Sequence, residues 1–241
     1  APEFGFPDEA RASFEAAKRL NPDDPEIIEQ DFAIALGSND MKAAEEIARR
    51  AQNLNSDLAN GLTYRGRYEV RNGDTAAGIA TLLQATNLKP YDGSIWRYLG
   101  IAYRTAGNYT AAMDAFSKSL DREPTHVGTL MELATLQRTR NEFDLALESI
   151  RKARQIAPSN PAVRDQYLEL EGLHGDRSRA IELREQMKRT GVGDLRNVLA
   201  LAQLYQADGR VEDAKSILDE LAPEAPEEQL MVAQAKAMWH F

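Results

Sequence analysis

The 241-residue sequence contains no cysteine. Disulfides, thiolate metal sites and cysteine nucleophiles are thereby excluded, and the chain suits cytoplasm and periplasm equally. Long hydrophobic runs are missing too. None approaches the roughly 18 to 20 apolar residues of a membrane-spanning helix, so direct membrane insertion is not expected. Positive charge is in deficit: 29 Lys and Arg stand against 38 Asp and Glu, a net charge of −9. Nucleic-acid binding needs a basic face to neutralise phosphates, and this balance disfavours it. Catalytic motifs are equally scarce. There is no HExxH, no glycine loop ending in Lys-Ser/Thr and no GxSxG. The histidines, His126, His174 and His240, stand at no metal-ligand spacing, and each reads as a surface residue. Carboxylate pairs such as Glu45/Glu46 and Glu227/Glu228 fit solvated helix faces, which lack the desolvation that acid–base work needs. No catalytic residue, cofactor or metal is expected.

What the sequence does contain is a repeat. Hydrophobic residues make up 43%, enough to bury a continuous core, and they recur with a fixed period. The stretch "WRYLGIAYRTAGNYTAAMDAFSKSLDREP", Trp96 to Pro124, moved by 34 residues, falls on "LMELATLQRTRNEFDLALESIRKARQIAP" and, the other way, on "LTYRGRYEVRNGDTAAGIATLLQATNLKP". Extended, the alignment gives units 25–58, 59–92, 93–126, 127–160, 161–194 and 195–228 without an insertion. Position 15 of each unit reads Asn39, Gly73, Gly107, Asn141, Gly175, Gly209; position 32 reads Ser56, Pro90, Pro124, Pro158, Val192, Pro226.

Apolar residues recur at helical spacing on both sides of position 15, so each unit reads as two amphipathic helices. Gly or Asn there suits a left-handed residue just past a helix end. Proline at position 32 stops the second helix. Small residues mark the places where helices approach closely: Gly100 and Ala112 are expected to face each other, and Ser119 to admit the next unit's first helix.

Trp96, Leu99, Gly100, Tyr103, Ala112, Phe116 and Pro124 resemble the tetratricopeptide-repeat (TPR) signature, with Ser119 where that pattern usually has alanine. The resemblance covers residues 6–241. It implies an all-α fold, a right-handed α-solenoid of antiparallel helix pairs, and a non-catalytic scaffold for protein–protein interaction. Residues 6–24 then read as the second helix of a truncated repeat, and 229–241 as the first helix of another or a terminal cap. The chain is expected to be an excerpt of a longer array, with "APEF" a cloning remnant. Unit 161–194 departs from the pattern, with Leu168 at a small position, Arg184 at an aromatic one and Val192 at the proline one. Drift compensated by neighbours, or a local change of curvature, accounts for it. Arg65, at an apolar position, is expected to snorkel outward.

In the resembled fold the first helices line a concave groove, mainly through positions 2, 5, 6, 9, 12 and 13 of each unit. Those positions carry Arg67, Arg71, Arg97, Arg104 and Arg138 in the central units, with Asn60, Tyr64 and Tyr98 among them. Glu29 on one side, and Asp165 and Glu169 on the other, read as acidic flanks. Arginine forks bind carboxylates bidentately and stack on aromatics. The expected partner is therefore a protein with an acidic or carboxylate-rich segment. The competing expectation is that neighbouring repeats' carboxylates pair with these arginines. The carboxylate clamp of chaperone-binding relatives is not expected, because positions 5 and 9 hold Thr63 and Arg67, or Arg97 and Ile101. Two alternatives stand beside the scaffold. One is the periplasmic repeat region of a bacterial exopolysaccharide-export or pilus/secretion assembly, touching a partner enzyme or an anionic polysaccharide. The other is head-to-tail self-association.

Overall fold

The computed structural model describes residues 8–54, 58–191, 194–221, 223 and 225–238. His240, Ser56, Val192 and "APEF" lie outside the described residues. Among those described, every element is a helix and there is no strand. The first helices of the pairs are α2 (Pro25–Gly37), α4 (Leu58–Arg71), α6 (Gly93–Thr105), α8 (Val127–Thr139), α10 (Pro161–His174) and α12 (Leu195–Ala207). The second helices are α3 (Met41–Asn53), α5 (Thr75–Leu88), α7 (Tyr109–Arg122), α9 (Phe143–Ile156), α11 (Arg177–Thr190) and α13 (Val211–Asp219). Helices α1 (Asp8–Leu20) and α14 (Pro226–Met238) stand at the two ends.

The turn chemistry explains this register. Asn39, Gly73, Gly107, Asn141 and Gly209 have φ between 58° and 93°, the left-handed conformation that glycine and asparagine tolerate best. Each is followed by an amide that reaches back into the first helix, as Asn108 N–H does to the Tyr103 carbonyl at 2.9 Å. The next helix is then capped by a side chain, Asp40, Asp74 or Asn108 accepting from the amide three residues on. Gly175 departs from the expected pattern, with φ −119° and ψ −134°. Helix α10 runs on to His174, and a side chain at 175 would collide with the Glu171 carboxylate. Lys89, Glu123 and Ala157 end α5, α7 and α9 outside the helical conformation, with ψ between 68° and 75°, because each precedes a proline. The last unit differs: α13 stops at Asp219, and Pro226 opens α14 instead of closing a second helix.

The chain forms two compact units, Ala1–Glu132 and Leu133–Phe241, dividing within α8. In the first, Phe32, Ala44, Ala48 and Tyr64 form one core, and Leu82, Leu99, Ala102 and Ala115 another. The small residues mark close approaches. A Cβ on Gly100 would overlap the Phe116 ring, so the glycine admits Phe116 of the second helix. Ser119 is fully buried and its hydroxyl hydrogen-bonds Thr129 of α8 at 2.9 Å. That bond explains the serine at an alanine position. In the second unit Leu201, Ala202, Ala214 and Leu218 centre the core. Here Arg184 is buried, and its Nη1 donates to Asn197 Oδ1 at 3.0 Å. Leu168 is buried as well. Arg65 snorkels as expected and donates to Glu69 at 2.6 Å.

Candidate functional site: the first-helix wall of the N-terminal unit

Helices α2, α4 and α6 place Glu29, Phe32, Tyr64, Arg67, Arg97 and Tyr98 together in the first unit. Arg67 Nη1 donates to both Glu29 oxygens, at 2.7 and 3.0 Å. Its guanidinium carbon lies 4.1 Å from the Tyr98 ring centroid, 4.8 Å from Phe32 and 5.6 Å from Tyr64. Only 11% of the Arg67 side chain is exposed. A cation boxed by three rings and neutralised by a carboxylate is a structural group. The Tyr98 hydroxyl also reaches Glu29, at 3.5 Å. Burial first, and the Glu29 charge second, raise the Tyr64 phenol well above its ordinary range.

Arg97 is different. Its guanidinium also stacks on Tyr98 at 4.1 Å, yet it has no hydrogen bond and no ion pair among the described residues. Its Nε is shut off from solvent without a partner. Beside it, His126 begins α8 as an N-cap, its Nδ1 accepting from the Thr129 amide at 3.0 Å. Burial, then the Arg97 charge, lowers the His126 pKa below 6.5. A surface histidine was expected; this one is half-buried and structural. His174 closes α10 and stacks on Phe143, ring centroids 3.5 Å apart.

The remaining candidates divide. Arg104 pairs with Glu132 at 3.3 Å and Arg138, in the second unit, with Glu169 at 2.9 Å. Arg71 is exposed at the end of α4 without an ion pair among the described residues. Asn60 is half-buried and has contacts of its own. The acidic flanks therefore need correcting. Glu29 and Glu169 are counter-ions of Arg67 and Arg138, and Asp165 pairs with Arg164 at 2.9 Å. Three of the five arginines carry an internal acid; among the described residues Arg97 and Arg71 do not. Sequence reasoning passed over Glu132, Phe32 and the buried Asp31, which Lys18 holds at 2.7 Å. Arg67 and Glu29 are 38 residues apart, one repeat plus one helical turn, and a search at that offset finds the pair. No group of residues able to hold a metal occurs among the described residues, and no helix there is long and apolar enough to cross a membrane.

Comparison with known proteins adds the following. Residues 65–127 match a family model described as tetratricopeptide repeat. The human "Superkiller complex protein 3" is 29% identical over 83 residues, 34% of this chain and 5% of that protein. The chain thus spans a small fraction of that relative. A tetratricopeptide repeat protein from Parabacteroides merdae superposes with a TM-score of 0.64 at 16% identity, over 89% of this chain and 86% of its own. The structure titled "APC/C hetero-tetramer Cut9-Hcn1" gives 0.65 at 14% identity, over 92% of this chain and 45% of the other. At these identities the two structures are alike in fold.

Proposed function

This chain belongs to the tetratricopeptide-repeat family, a family of protein-interaction scaffolds that are generally non-catalytic, and we propose that it holds an acidic segment of a partner protein against the first-helix wall of its N-terminal unit. One observation carries this reading: Arg97 is stacked, half-buried and, among the described residues, without an acid of its own. Such a guanidinium is pre-ordered by its ring, so binding a carboxylate costs little further side-chain entropy. Arg71 adds an exposed charge, while Arg67 and Arg104 keep the wall in shape through their internal pairs. The bacterial periplasmic setting has no comparable support, since the human relative above is eukaryotic and the Parabacteroides merdae structure is alike in fold alone.

An array of acidic peptides beside matched glutamine versions tests the proposal. Acidic members should be retained preferentially, and Arg71→Glu with Arg97→Glu should abolish the preference while leaving the helical circular dichroism intact. Equal retention of acidic and glutamine peptides sinks it.

A further inference from the structure

The two guanidiniums on the Tyr98 ring are treated unequally, and the difference is Glu29. Arg67 and Arg97 each lie 4.1 Å from that one centroid. Arg67 is given both oxygens of Glu29; Arg97 is given none. The Glu29 side chain is 43% exposed, so its carboxylate stands at the surface and not in the core. Glu29, Arg67, Tyr98 and Arg97 thus form a charge ladder whose last rung has no counter-ion among the described residues.

We propose that Glu29 is a built-in acid that occupies one of two carboxylate positions on the Tyr98 ring, so that the partner's acidic segment engages the chain through a single carboxylate, at Arg97. The proposal rests on the acidic-partner reading above and adds its stoichiometry and its restraint. Glu29 does two things to an incoming acid. It fills the Arg67 fork that a second carboxylate would take, and its own negative charge opposes that carboxylate at close range. Neutralising Glu29 removes the repulsion and leaves a glutamine whose neutral hydrogen bond to Arg67 an incoming carboxylate can displace. Glu29 is in this sense a positioning and selecting residue, favouring segments with isolated acids over runs of them.

The probe is a dye-labelled hexaglutamate peptide, capped at both ends and followed by fluorescence anisotropy with the whole chain. Arg97→Gln should weaken binding about tenfold, the effect of one charged hydrogen-bonded contact. Glu29→Gln should tighten it by about the same factor. Arg67→Gln should leave wild-type binding within about twofold, yet cancel the gain when added to Glu29→Gln. Should Arg67→Gln fail to fold by circular dichroism, Glu29→Gln and Arg97→Gln, neither of them fully buried, carry the test alone. Unchanged affinity in Glu29→Gln, with Arg97→Gln still weakened, overturns the role of Glu29 and leaves the acidic-partner reading standing. Affinity insensitive to Arg97→Gln overturns the Arg97 site. No hexaglutamate binding by either wild type or Glu29→Gln overturns the acidic-partner reading itself.

Discussion

Arg184 and His126 show how single residues depart from the repeat and what each departure costs. Arg184 stands at a position patterned for an aromatic, is buried, and has one neutral partner, Asn197; its Nε has none. Burial lowers its pKa, the direction expected when charge is penalised. Replacing buried charge by packed hydrocarbon is often stabilising by about 1–4 kcal/mol. Arg184→Met with Asn197→Leu should therefore raise the urea midpoint, and a fall would show that the cation is better satisfied than its geometry indicates. His126 behaves oppositely with pH. Its folded pKa is lowered, so the unfolded chain binds the proton more readily. The stability it contributes is full above about pH 6.5 and is lost as pH falls from there through the lowered folded value. His126→Asn keeps an N-cap acceptor without the titration, so it should flatten stability between pH 7 and pH 5; an unchanged slope would mean that other groups cause it.

Among the elements, turns and close approaches were the most legible part of the sequence. Gly107 has φ 75° and nothing near its Cβ position, so only backbone strain opposes a side chain there. Gly107→Ala should cost about 1–2 kcal/mol in equilibrium unfolding. Gly100→Ala faces no such strain but meets the Phe116 ring, and overpacking of that kind costs about 1–3 kcal/mol. Adding Phe116→Leu should recover part of the second loss and none of the first. That contrast separates two uses of glycine that look alike in the repeat alignment. The unit with Gly175 was the least legible, because its turn is set by the buried Glu171, which is held by Arg151 at 2.7 Å and by the Tyr167 hydroxyl at 3.0 Å. Tyr167 and Glu171 belong to α10 itself, but Arg151 comes from α9, and local propensity does not see it.

At the scale of the whole molecule, the net charge of −9 and the two wall arginines without an acid among the described residues, Arg71 and Arg97, pull in opposite directions. Long-range repulsion slows the approach of an acidic segment, and salt screens it within about 10 Å at 0.1 M. Added salt should therefore raise the association rate of hexaglutamate, while the weakened Arg97 contact raises its dissociation rate. Stopped-flow mixing at several ionic strengths measures both, and an association rate that falls with salt would mean the wall presents a net positive field despite the chain's charge.

The sequence by itself determined the helix pairs, their register and most of the turns. Those depend on neighbours within one or two helical turns, and a period of 34 residues repeats the information along the chain. Which arginines are available was decided only by tertiary structure. A carboxylate becomes a counter-ion when adjacent first helices bring it within about 3 Å of a guanidinium, as with Glu29 and Arg67 at 2.7 Å, and a list of charges by position does not contain that distance.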